Sequence, residues 1–420
     1  MAREMASARR NRRSHAALGA AALVGALGQG CGDSTVVYRA PDAAPWGEGC
    51  TGWDAPDGGV ALVTNSLMNS LSVIDLGARR VSDPLPVPVT PLAENGPHHL
   101  ALDPAQGVVY MPLSFPASAI LPGPHAEHGS ASVPGVFIKR SLCDMRLLGR
   151  VDVDANPGDM LLSPDRRRAY VSHFDLRRAQ ENPTDPARQR GTVVVIDTAS
   201  MTRVETIPVC VAPHGMVLSP DGNTLYLACY GDDAIGVVDL TQRPARVRLA
   251  YITGAPPSSV TSPTHGPYSI GIAPDGNTVW TGCTESGALL AYDVTTGQID
   301  AARVTRRLAG KPFFPEVSLD GATMLVPTQG RDELVRMTTR APLEIVQRVS
   351  FAREDCVLPH QVSRGPDGLV YLVCEGVHGR TMTEPGTVLA LDPDTLAIRH
   401  RYVVGTYPDA IVFHTPGGAR

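Results

Sequence analysis

From residue 59 onward the apolar positions come in short runs of four to seven residues, and glycine, proline, aspartate and asparagine separate the runs. No stretch carries the 3.6-residue period of an amphipathic helix, so the pattern predicts β-strands joined by tight turns. The runs also repeat. A proline opens an apolar stretch, an Asp-Gly-like turn follows, and a second apolar stretch returns. The copies are PHHLALDPAQGVVYMP from Pro97, PGDMLLSPDRRRAYVS from Pro157, PHGMVLSPDGNTLYLA from Pro213, PYSIGIAPDGNTVWTG from Pro267, PFFPEVSLDGATMLVP from Pro312, PHQVSRGPDGLVYLVC from Pro359 and PDAIVFH from Pro408. Successive prolines are 60, 56, 54, 45, 47 and 49 residues apart.

Most copies continue into a third run that closes on aspartate, at Asp197, Asp239, Asp293 and Asp392, and then into a fourth. Four strands in about 50 residues is the period of a propeller blade, which buries its faces only against neighbouring blades. The copy at Pro408 stops after one strand, and three unmatched runs stand at the other end: GVALVTN (59–65), SLSVIDL (70–76) and RRVSDPLPV (79–87). The expected fold is all-β, a seven-bladed propeller over 59–414 whose last blade is assembled from both ends of the chain.

This pattern resembles the YVTN-type propeller repeat proteins, in which proline, an apolar strand, a P-D-G turn and a strand closing on aspartate recur. The resemblance covers residues 59 to 413. It implies the fold and an exported or surface protein. Related seven-bladed folds host lactonases, copper enzymes and haem enzymes. Two copies depart from the pattern. FIKRSL and LVRMTT stand where the aspartate is expected in the blades at Pro97 and Pro312, and the former also carries an insertion at 113–134.

Composition changes the picture mainly at the N-terminus. Five arginines in residues 1–13 precede the short apolar stretch AALGAAALVGALGQG, a secretory signal too short to span a bilayer. Cys31 follows it at the place where a bacterial lipoprotein is cleaved and acylated, although Gly28 stands where such sites carry leucine. We expect residues 1–30 to be a signal peptide, 31–58 a Pro/Gly-rich tether, and the mature chain to be periplasmic or on the outer membrane or cell surface, touching membrane only through lipid on Cys31. Loss of residues 1–30 removes five arginines and one glutamate, leaving 32 basic against 41 acidic residues, a formal charge of −9. That balance excludes nucleic acid as a partner. A monomer is expected, with an unidentified protein or small molecule as ligand.

Candidate chemistry lies at one end of the blades. Loops before the first strand and after the second share a face, where binding loops project from a rigid scaffold. His98, His99, His214, His265 and His360 fall at or just before first strands, and His173 and His378 follow second strands. These seven are the candidate ligand-binding residues. His98, His214 and His360 share one repeat position beside the channel and are the candidate metal ligands, with copper or another transition metal as the only cofactor considered. Gly158, Tyr268, Phe313 and Asp409 occupy that position in the other blades. Only the blades at Pro213 and Pro359 carry both a cysteine three before the proline and one at the end of the second strand. That co-occurrence predicts disulfides Cys210–Cys229 and Cys356–Cys374 and leaves Cys50, Cys143 and Cys283, an odd number. A strict hairpin would set Cys229 opposite His214, so the first bridge requires the entering loop to fold back over its own strand. There is no C-x-x-C-H, P-loop, dinucleotide fingerprint or nucleophile elbow. Three functions follow as expectations: binding through the histidine-rich face without catalysis; a metal-dependent redox enzyme; and a lactonase-like hydrolase, for which the sequence offers no catalytic set.

Overall fold

The computed structural model describes residues 55–87, 96–114, 133–306, 308–377 and 383–416. His378 and Cys31 lie outside these residues, as does the span 1–54, so the signal and lipid-anchor expectations, and all of the expected tether except 55–58, fall on residues outside the described chain.

Apolar stretches flanked by turn residues pair into seven antiparallel sheets, one for each predicted blade. The chain is an all-β, seven-bladed propeller. Two short helices, Leu176–Glu181 and Pro186–Gln189, are inserted between the second and third strands of the blade that begins at Pro157. No helix among the described residues is long and apolar enough to cross a membrane. Pro408–His414 is the innermost strand of the composite blade and pairs with Val60–Asn65, which pairs with Ser70–Asp75. Short outer segments at Arg80–Val81 and Leu85–Pro86 complete it. Closing the ring this way leaves no inner sheet edge open for foreign pairing.

Burial runs radially. Second and third strands are almost wholly buried, whereas the outer strand Ile345–Ser350 is largely exposed. Core side chains cluster between blades rather than within them. Tyr170, Val193 and Val195 of one blade pack on Met216, Leu225 and Leu227 of the next. The composite blade does the same on both sides, against Val109, Met111 and Val136 in one direction and Tyr371, Val388 and Tyr402 in the other.

Each predicted turn aspartate works locally. Asp197 accepts the amides of Ala199 (3.1 Å) and Ser200 (2.9 Å), and Asp392 those of Asp394 (3.1 Å) and Thr395 (2.9 Å). The two blades without it still form their third strands, Pro134–Ser141 and Glu333–Thr338, because packing between blades overrides one missing turn cap. At the same end, the hairpin glycines Gly222 and Gly276 have φ of +72° and +74°, and a Cβ on either would lie 2.8 Å from the proline of the preceding blade's turn. Glycine is required there both by conformation and by space.

Candidate functional site

All seven blades share one irregularity at the histidine end. The inner-strand proline pairs with the end of the second strand, and one extra residue is then inserted before regular pairing resumes. Pro213 opposes Cys229 while Met216 opposes Leu227; Pro359 opposes Cys374 while Val362 opposes Leu372; Pro408 opposes Asn65 while Ile411 opposes Val63. The residue before the proline is left-handed in six blades, including the non-glycines Asn156, Ala212, Leu358 and Tyr407 at φ of 54°, 49°, 56° and 54°. Such conformations cost roughly 1–3 kcal/mol each and persist where the fold needs them. Here the left-handed carbonyl accepts the amide that follows the second strand, as in Glu375 N–H to Leu358 O (3.1 Å), Phe174 to Asn156 (2.7 Å) and Ser66 to Tyr407 (2.9 Å). The bulge therefore aims the residue after each proline at the axis, and the amide contact brings a residue from the second strand beside it.

The same turn forms the disulfides. It folds the entering loop back over its strand, so Cys210 reaches Cys229 with Cα atoms 5.8 Å apart, and Cys356 reaches Cys374 at 5.3 Å. Cys143 is also disulfide-bonded, and Cys283 is free and buried.

Four of the predicted histidines meet at the axis. The His98 ring lies 4.6 Å from His99, 5.5 Å from His214 and 6.1 Å from His360, centroid to centroid. They are enclosed rather than displayed: His98, His214 and His360 have no exposed surface and His99 has 8%. Tyr268 stacks on His214 at 3.7 Å, while Phe313 and Phe314 flank His360 at 5.2 and 5.1 Å. His173 and His265 are elsewhere. His173 Nδ1 faces Thr192 O at 3.0 Å, and His265 faces Ser286 Oγ at 3.3 Å.

Three buried acids complete the cluster. Asp409 accepts from Ser66 Oγ and lies 3.3 Å from His98 Nδ1. Asp159 lies 3.0 Å from His99 Nδ1 and accepts the amides of Met160 (2.6 Å) and Met216 (2.7 Å). Glu375 accepts from Gln329 Nε2 at 2.8 Å and faces His360 Nε2 at 3.9 Å. Burial pushes the carboxyls of Asp159 and Asp409 up to about 7 and holds His99 down at about 4. His98 is held well below its usual range by burial first and by His99 and His360 next.

The tightest grouping of potential ligand atoms among the described residues is His360, Glu375 and Asp409, all within 4.8 Å of one another. It shares only His360 with the sequence-derived set; His98 borders it through Asp409, and His214 faces Tyr268. Asp409 stands at the repeat position of the Pro-His histidines, so the repeat itself pointed to it. Glu375 follows Cys374 directly and Asp159 is two residues after Pro157, but only the bulge and the returning amide show that they face the axis.

A half-buried acid, Glu316, stands outside this cluster and makes a separate prediction. Burial pushes the Glu316 carboxyl up to about 7, opposed by Arg364. An unfolded glutamate titrates near about 4.3, so the folded chain keeps a proton there that the unfolded chain releases. The associated stability is present below that range and is lost as pH rises to about 7. In Glu316→Gln the slope of unfolding free energy against pH should flatten by up to about one proton across that window. Denaturant titrations of both proteins between pH 4 and 8 check this; parallel curves would show that Glu316 does not contribute.

No protein-family model and no curated protein matches the chain. Solved structures do share its fold. A periplasmic gluconolactonase of Pseudomonas aeruginosa superimposes with a TM-score of 0.59 at 19% identity, covering 84% of this chain and 98% of its own. A Bacteroides uniformis protein provisionally assigned as a 6-phosphogluconolactonase gives 0.59 at 14%, covering 85% and 100%. Hydrazine synthase of Kuenenia stuttgartiensis gives 0.54 at 14%, covering 82% and 96%. Identities this low establish a common propeller architecture, which alone specifies no activity.

Proposed function

We propose that this propeller is a metal-dependent enzyme with one divalent first-row ion held on its axis by His360, Glu375 and Asp409, with His98 beside them. The observation that carries it is the orientation of His360. Its Nδ1 lies 2.9 Å from the Asp409 carbonyl oxygen, which can only accept, so the ring donates there and turns Nε2 toward the Glu375 carboxylate. Nε2 is thereby the ring atom that faces the Glu375 carboxyl, so a cation placed between them could be held by both. Metal-bound histidines are commonly oriented in this way by a carbonyl on their other nitrogen. Asp409 Oδ1 is buried with no hydrogen-bond partner. Burying carboxylates without a compensating positive charge is costly.

The donor set is imidazole and carboxylate, which suits zinc, iron or manganese rather than a thiolate-bound copper centre. Nearby cysteines do not contribute, because Cys210, Cys229, Cys356 and Cys374 are consumed in disulfides. Such an ion supplies Lewis-acid polarisation of a carbonyl and an acidified water. Around it, Tyr268, Phe313 and Phe314 form an aromatic wall that would exclude bulk water, and the pairing of His99 with Asp159 orients that imidazole. Hydrolysis of a lactone-type ester is the reaction we assign, and the gluconolactonases of the same fold support that substrate class. The disulfides fit an exported protein, as does the arginine-rich, apolar N-terminus.

Elemental analysis of the purified protein should find about one equivalent of a divalent transition metal, lost in His360→Ala and in Asp409→Asn. Hydrolysis of a δ-lactone should disappear on chelation and return on metal addition. A wild-type protein that neither retains nor takes up zinc, iron or manganese would remove the metal centre. Retained iron with oxygen-dependent turnover and no lactone hydrolysis would leave the centre but make the enzyme a redox one.

A further inference from the structure

The two-helix insertion of the blade at Pro157 carries a feature that the axial site does not use. Arg178, Arg188 and Arg190 line a cleft of about 450 Å³ together with Asn182, Thr192 and Pro208. The insertion is held in shape. Asp185 caps the second helix by accepting the amides of Ala187 (3.1 Å) and Arg188 (3.3 Å), and Asn182 Nδ2 donates to Arg178 O at 2.9 Å. Gln189 Nε2 donates to Asn182 O at 3.0 Å, and Arg178 Nη1 donates to Arg190 O at 3.1 Å, tying the ends of the insertion together.

Carboxylates near the insertion have other hydrogen-bond or ion-pair partners, although Asp175 and Asp232 also feel the charges of Arg178 and Arg190. Asp154 pairs with Arg203 at 2.8 Å and accepts from Thr192 Oγ1. Glu181 is taken by Arg177. Asp175 caps the first helix through Arg178 N–H, and Asp232 accepts the Val211 amide at 2.7 Å. Arg178, Arg188 and Arg190 make no ion pair with any described carboxylate, whereas Arg79, Arg166, Arg303 and Arg348 each do. Three arginines without a close ion pair thus line one cleft of a chain whose overall formal charge is −5.

We propose that this cleft is an anion-binding site for the phosphoryl group of a small molecule, gripped by Arg178, Arg188 and Arg190. Guanidinium forks match the geometry of phosphate oxygens bidentately and stay charged at every accessible pH. Three positive charges suit a dianionic phosphomonoester better than a single carboxylate.

Isothermal titration of the wild-type protein with inorganic phosphate at low ionic strength should give a Kd below about 1 mM. The Arg178→Gln/Arg188→Gln/Arg190→Gln variant should bind at least about tenfold more weakly while still melting cooperatively as a folded monomer, and added salt should weaken the wild type alone. His360→Ala should bind phosphate as the wild type does, which separates this cleft from the proposed axial metal. Absence of phosphate binding, equal binding by the triple variant, loss of binding in His360→Ala, or a preference for citrate over phosphate would each overturn the proposal.

Discussion

Deleting residues 408–420 should leave a chain that no longer folds to a stable monomer. Pro408–His414 is the inner strand of the composite blade, and its loss strips Val60–Asn65 of a partner along most of its length. Ala410 and Ile411 leave two separate cores, one facing each neighbouring blade. Asp409 and its contact with Ser66 go as well. The exposed edge of Val60–Asn65 would then be open to pairing with other chains. The deletion removes the buried Ile411, whose loss alone costs about 2–5 kcal/mol, together with Ala410 and the half-buried Val412 and Phe413, against a typical domain stability of about 5–15 kcal/mol. Size-exclusion chromatography and thermal melting should show aggregate or a strongly lowered Tm. A monomeric truncation with an unchanged Tm would contradict closure by this strand.

Removing both axial-end disulfides should produce the second large effect. Cys210–Cys229 and Cys356–Cys374 close loops with sequence separations of 19 and 18 residues. Loops of that length contribute roughly 3 kcal/mol each in the chain-entropy account. The bridges also hold the turns that carry the left-handed Ala212 and Leu358, and through them the inward aim of His214 and His360. Cys356→Ser/Cys374→Ser should therefore cost about 3 kcal/mol in denaturant unfolding and also weaken metal retention, because His360 and Glu375 flank that bridge. Cys210→Ser/Cys229→Ser should cost a similar amount while leaving metal content nearly intact. Equal metal loss in both double variants would mean that the bridges act only through global stability.

Much of this molecule is legible in the chain as written. The repeat of proline, apolar run, Asp-Gly turn and aspartate-closed run defines seven blades, because strand period and turn chemistry are local properties. The three strands missing after the Pro408 copy and the three surplus runs at 59–87 determine that the ring closes with both ends of the chain. Co-occurring cysteines name their own partners for the same reason: the two halves of a hairpin are neighbours in space whatever the rest of the fold does.

The axial site required the tertiary structure. A histidine after a proline looks the same in sequence whether it faces solvent or the axis, and the difference lies in one extra residue of strand register. That bulge turns His98, His214 and His360 inward with Asp409, and leaves His173 and His265 against their own loops. Glu375 enters only because the left-handed Leu358 carbonyl draws its amide in, a contact between residues 17 apart that no local pattern encodes. Position along a strand can be read from sequence, but the meeting of side chains from blades that lie as far as 311 residues apart, as His98 and Asp409 do, is decided by ring closure.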